Sequence, residues 1–109
     1  MAKGEYTIIV ARLADEMLLA HTEFISRVST QAARKLISEF KKVKDRLADN
    51  PYQFPYADEL DVPGISSKTH RKCLFYSRYK ALFLIEGSCV YLDAIIDCRQ
   101  ENVDIFSGD

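Results

Sequence analysis

Long apolar runs are missing from this 109-residue sequence, and no stretch of it could span a bilayer. The N-terminus also lacks the charged, then apolar, then small-residue pattern of a secretory signal. No membrane association is therefore expected, and the cytoplasm is the expected compartment. Cysteine is scarce and odd in number: Cys73, Cys89 and Cys98 show no CxxC spacing, which argues against both a disulfide framework and a zinc site. The three thiols are expected to pack as small hydrophobes. His21 falls within a helical pattern and His70 within a basic run, so a metal would lack its usual partners, and neither metal nor cofactor is expected. Internal repeats, low-complexity tracts and linker-like stretches are absent as well, which leaves a single domain over 1–109. With 48% apolar and 28% charged residues, the chain has too much core-forming surface to stay disordered.

Net charge is also small, −1 at pH 7, but its distribution is uneven. Between Asp61 and Glu86 there is no acidic residue, whereas Lys68, His70, Arg71, Lys72, Arg78 and Lys80 all fall there. The acids collect in Asp49 to Asp61 and from Asp93 onward. A locally positive surface on a nearly neutral protein can still steer an anionic partner, because exposed charges beyond a Debye length are screened from one another.

Hydrophobic periodicity divides the chain into elements. Tyr6 to Val10 is β-branched and aromatic and reads as a strand. From Leu13 the period changes: Leu13, Met17, Ala20, Phe24 and Val28 recur at steps of three and four, predicting one buried helix face. Ser29 or Thr30 can cap a second helix whose stripe is Ala33, Leu36, Phe40, Val43 and Leu47, with Ile37 beside it. Its lysines, Lys41, Lys42 and Lys44, and Arg46 suit the negative end of the helix dipole, and Asn50-Pro51 stops it. So short a joint between the helices makes an antiparallel pair. Pro51 to Ser67 contains all three prolines with Tyr52, Phe54 and Gly64, and reads as a loop held by aromatic contacts.

After that loop the period becomes two. His70 to Tyr76, Tyr79 to Ile85 and Cys89 to Asp97 read as strands, with short turns at Tyr76-Ser77-Arg78-Tyr79 and Glu86-Gly87-Ser88. Strict alternation would turn Tyr79, Ala81, Phe83, Ile85, Val90, Leu92, Ala94 and Ile96 towards the helices. It would leave Lys80, Tyr91, Asp93, Asp97 and Arg99 on the other face, joined by Arg71 or Lys72. The fold expected is α+β in two layers: an N-terminal strand, an antiparallel helical hairpin, then a three-stranded antiparallel meander, all in one sheet.

That element order, with particular residues, resembles the RelE/ParE family of toxins from type II toxin–antitoxin systems. His70-Arg71-Lys72-Cys73-Leu74 followed by Arg78-Tyr79-Lys80-Ala81-Leu82-Phe83 is similar to the family's basic strand, turn and tyrosine–basic strand. Val90-Tyr91-Leu92 leading to Ile95-Ile96-Asp97-Cys98-Arg99 is similar to its last strand, and Ala32-Ala33-Arg34 to Asn50-Pro51 extends the likeness over the helical hairpin. The resemblance implies growth inhibition, a cognate antitoxin partner, a toxin–antitoxin hetero-oligomer, and either DNA gyrase or the ribosome with its mRNA as target.

The family divides by mechanism. RelE-like members cut mRNA on the ribosome without a metal, and the resemblance would then place Arg71, Lys80 and Arg99 in the catalytic set, with Lys68, His70, Lys72 and Arg78 binding target or RNA. Such cleavage needs a 2′-hydroxyl deprotonated, a phosphorane stabilised and a leaving oxygen protonated. Here the second basic position of the basic strand falls at Cys73, the C-terminal tyrosine falls near Ile105-Phe106, and Asp97 stands where His or Gly is usual. The incomplete set favours the ParE-like members, which poison DNA gyrase by protein contact; the nuclease and a non-toxic antitoxin-binding module are the alternatives. Tyr76, Tyr79 and Tyr91 are read as core aromatics, which suit a pleated surface.

Overall fold

A computed structural model describes residues 5–98. The elements are β1 (Thr7–Val10), α1 (Arg12–Ser26), α2 (Thr30–Asp49), a 3-10 turn (Pro51–Gln53), β2 (Arg71–Phe75), β3 (Tyr79–Glu86) and β4 (Cys89–Asp97). They form one four-stranded sheet in the order β1-β4-β3-β2, with the two helices as the second layer. β2, β3 and β4 make the expected antiparallel meander, and β1 runs parallel to β4, which makes the sheet mixed. The α+β architecture read from the sequence is the one observed.

The second helix follows its pattern closely. Ser29 Oγ accepts the Ala32 N–H at 3.0 Å, so Ser29 is the cap. Ala33, Leu36, Phe40, Val43 and Leu47 are all buried, and Ile37 lies at the margin. The loop after it is pinned as expected: Tyr52 packs edge-on against Tyr6, and Phe54 edge-on against Phe83.

The first helix is rotated from the expected phase. Ala14 and Leu18 are its buried residues, and Met17, His21 and Ile25 are half-buried, whereas Leu13, Phe24 and Val28 are 58%, 57% and 86% exposed. Two stripes of helical spacing coexist on this helix, and His21 disguises the one that is used. Its Nε2–H donates to Ile95 O at 2.8 Å, and its ring lies 5.1 Å from that of Tyr79, so a polar residue occupies a core-facing position. Ala11, the single residue between β1 and α1, donates its N–H to Leu92 O at 2.8 Å. So short a junction sets the rotation of the helix against β4.

The last strand also departs from strict alternation. Leu82 pairs with Ala94 but Phe83 pairs with Leu92, which leaves Asp93 as a bulge. One extra residue exchanges the two faces beyond it. Val90 and Leu92 face the helices before the bulge; Ile95 and Asp97 do so after it, while Ala94 and Ile96 turn to the other face. The expected inward positions of Ala94 and Ile96, and the outward position of Asp97, are corrected accordingly. Tyr79, fully buried, sits among Phe75, Tyr76 and His21. At the β2–β3 turn Tyr76 and Ser77 take the left-handed φ values of 54° and 56°, which match the twist of a tight hairpin.

The helix phase can be checked by mutation. Leu18→Ala is expected to destabilise by about 2–4 kcal/mol, as for other buried leucines. Leu13→Ala should change stability by less than about 0.5 kcal/mol. Urea unfolding of the two variants measures both.

Candidate functional site

Pairing register assigns each basic side chain of the meander to a face. Cys73 opposes Ala81 and Phe75 opposes Tyr79, so Arg71, Cys73 and Phe75 lie on the helix side, and Lys72 and Leu74 lie with Lys80 on the other. The sheet therefore separates Arg71 from Lys80, which had been expected to act together.

Arg71 is enclosed by the loop that precedes β2. Its guanidinium carbon lies 4.2 Å from the Tyr56 ring centre and 5.2 Å from that of Tyr52, and Nη1 donates to Phe54 O at 2.6 Å. Stacking on two aromatic faces and one charge-assisted hydrogen bond hold it in place.

Lys72 and Lys80 converge on Asp61. Lys72 Nζ lies 2.9 Å from both carboxylate oxygens, and Lys80 Nζ 3.1 Å from Oδ1. Asp61 is positioned by a turn at Asp58, whose N–H donates to Asp61 Oδ2 at 2.9 Å and whose Oδ1 accepts from the N–H of Leu60. The loop thus lays a carboxylate over the face opposite the helices, and Lys80 is 7% exposed beneath it. Burial pushes the Asp61 carboxyl up, but the Lys72, Asp58 and Lys80 contacts override it and hold the group well below the usual carboxylate range.

Two further acids complete the pattern. His70 Nε2–H donates to Asp93 Oδ2 at 2.7 Å, reaching across β3 to the bulge. Arg78 grips Asp97 with Nε at 3.1 Å from both oxygens and Nη2 at 2.8 Å from Oδ2; this hydrogen bonding raises the arginine pKa. Arg99, two residues beyond Asp97, lies outside the described residues, as do Ile105 and Phe106. Lys68 is exposed, with a left-handed φ of 58°. Cys73 is fully buried on the helix side, and burial pushes its thiol pKa up, so it offers neither charge nor thiolate.

Sequence reasoning found the cations and missed the partners of most. Asp61 is 11 residues from Lys72 and 19 from Lys80, and Arg78 is 19 from Asp97. Separations of that size leave no local signal. A run without acids in sequence becomes, in space, a set of cations each matched by a carboxylate or, for Arg71, by a carbonyl and aromatic rings; the exposed Lys68 stands apart from it.

The sequence matches no protein-family model and no curated protein. Among solved structures, a chain described as belonging to the "Chromosomal ParDE TA system from P. aeruginosa" is similar with a TM-score of 0.64. The similarity covers 86% of this chain and 97% of that one at 17% sequence identity, so it is a likeness of fold.

Asp61 makes stability depend on acid pH. With its folded pKa depressed, its contribution is complete above the unfolded value of about 3.9 and is lost as pH falls through the folded value. Asp61→Asn is expected to cost about 3 kcal/mol at pH 7, because it leaves Lys80 buried without its anion. The gap between wild type and variant should narrow as pH is lowered from 5 to 2, as followed by chemical unfolding at each pH.

Proposed function

We propose that this chain is the toxin of a type II toxin–antitoxin pair, acting ParE-like by binding an essential target such as DNA gyrase and neutralised by a cognate antitoxin in a hetero-oligomer. The fold it shares with a chain of a ParDE system supports the system class. One observation carries the choice of mechanism: Arg71, Lys72, Arg78 and Lys80 are each engaged by groups of the chain itself. RNA cleavage without a metal asks for charge directed at a phosphate and for groups that exchange protons. Here the ammonium of Lys80 is already committed to Asp61, and Arg71, its would-be partner, is on the opposite face. Inhibition by protein contact asks instead for a surface, and α1 carries the exposed Leu13 and Phe24, with the exposed Val28 just beyond its end.

Inducible expression in a bacterium tests the reading. Growth should stop with a DNA-damage response before translation falls, the purified protein should block supercoiling by gyrase, and coexpressed antitoxin should restore growth. Translation arrest as the first event, with cut mRNA that Arg99→Ala abolishes, would move the assignment to a ribosome-dependent nuclease. Unimpaired growth would leave a binding module without toxicity.

A further inference from the structure

Residues 58–69, between the bridge at Tyr56 and the start of β2, form a loop whose two ends are tied together. Ala57 N–H donates to His70 O at 2.8 Å and Lys72 N–H donates to Pro55 O at 2.9 Å, so the chain on either side closes its base. Inside the loop the hydrogen bonds are its own. Asp58 Oδ1 accepts from the N–H groups of Leu60 and Asp61, Asp58 O accepts from Val62 N–H, Val62 O accepts from Ile65 N–H, and the Thr69 hydroxyl donates to Ser66 O. Among the described residues, every hydrogen bond from 58–69 to the sheet ends on the Asp61 carboxylate. Val62 and Ile65 are half-buried, and Leu60 is 90% exposed. A segment with a closed base and one polar fastening can lift as a unit while the strands stay paired.

Beneath that fastening the strands present two cations together. Lys72 pairs with Leu82 and Lys80 with Leu74, so the two lysines stand on adjacent strands and on one face. Their ammonium groups come within 2.9 Å and 3.1 Å of the same oxygen, Asp61 Oδ1. Ammonium groups converging on one acceptor make the arrangement that binds an oxyanion. The backbone positions of both lysines are set by pairing within the sheet, with Lys80 held between Leu74 and Ile96, and not by the loop. The Asp61 carboxylate is then a ligand supplied in cis, at an effective concentration of about millimolar for a short tether.

We propose that Lys72 and Lys80 form a binding site for a small oxyanion, a phosphate or carboxylate group, and that loop 58–69 is its lid, with Asp61 filling the site while the lid is shut. Entry of the ligand exchanges one anion for another, so the buried Lys80 keeps a counter-ion throughout. The exposed Glu59, on the same loop, leaves the face with Asp61. Lifting the lid does not assemble a nuclease, because Arg71 stays on the helix side of the sheet whichever position the loop takes. The site therefore implies binding without cleavage, and it does not depend on the toxin reading.

The intact chain can be titrated with inorganic phosphate and with acetate at constant ionic strength, followed by NMR and by chemical unfolding. In the wild type, the ligand should shift the side-chain resonances of Lys72 and Lys80 and speed amide exchange across 58–69, while the β3 amides stay protected. Asp61→Ala should bind at least about tenfold more tightly than the wild type, since the tethered competitor is gone. The ligand should also restore the unfolding midpoint that this variant loses, and adding Lys72→Gln should abolish the restoration. Whichever of phosphate and acetate acts at the lower concentration names the class of ligand. An equal rise in the midpoint of the wild type and both variants is a general salt effect and overturns the proposal. Should Asp61→Ala fail to fold, the wild-type exchange experiment decides by itself. Shifts at the two lysines without faster exchange in the loop, or loop and strand amides exchanging together, overturn it as well.

Discussion

A buried ammonium requires an anion, and around Lys80 that requirement organises one whole face of the sheet. Isolated charge under a protein surface costs several kcal/mol, of the order of the total stability of a small domain. Asp61 meets the need from a loop, and in doing so it brings Lys72 to the same carboxylate and draws the segment after α2 across the strands. The face expected to be an open basic surface is therefore covered and largely neutralised. What it presents is a set of matched charges rather than a cleft of converging cations.

The bulge at Asp93 acts on the same balance from the other side. By inserting one residue into β4, it turns Asp97 inward to meet Arg78 and leaves Asp93 where His70 can reach it. Both acids would sit on the outer face of a regular strand. The bulge thus converts two surface carboxylates into fixed partners of the basic strands, and it places Ile95 rather than Ala94 or Ile96 against the helices. Charge pairing and core packing here have a common geometrical origin.

These two devices bear on function together. A surface for phosphate chemistry needs cations whose charge is directed outward, and in this chain Arg71, Lys72, Arg78 and Lys80 are directed at the protein itself. Exposed apolar side chains stand elsewhere: Leu13 and Phe24 on α1, Val28 just beyond it, and Leu74 on the β2 edge. Such surfaces suit protein partners.

Local pattern was enough for the element order, the bounds of β4, a cap at Ser29 or Thr30 and the entire buried stripe of α2, because each depends on residues within a few positions of one another. It did not suffice for α1, where two apolar stripes have the same period and contact with β4 selects between them. The same holds for the candidate site: the cations are adjacent in sequence and could be named, but the acids that hold them come from loops and strands 11 to 23 residues away. Periodicity encodes which face of an element is apolar. Tertiary structure decides which charges meet, since pairing depends on register, bulges and loop paths that no short window contains.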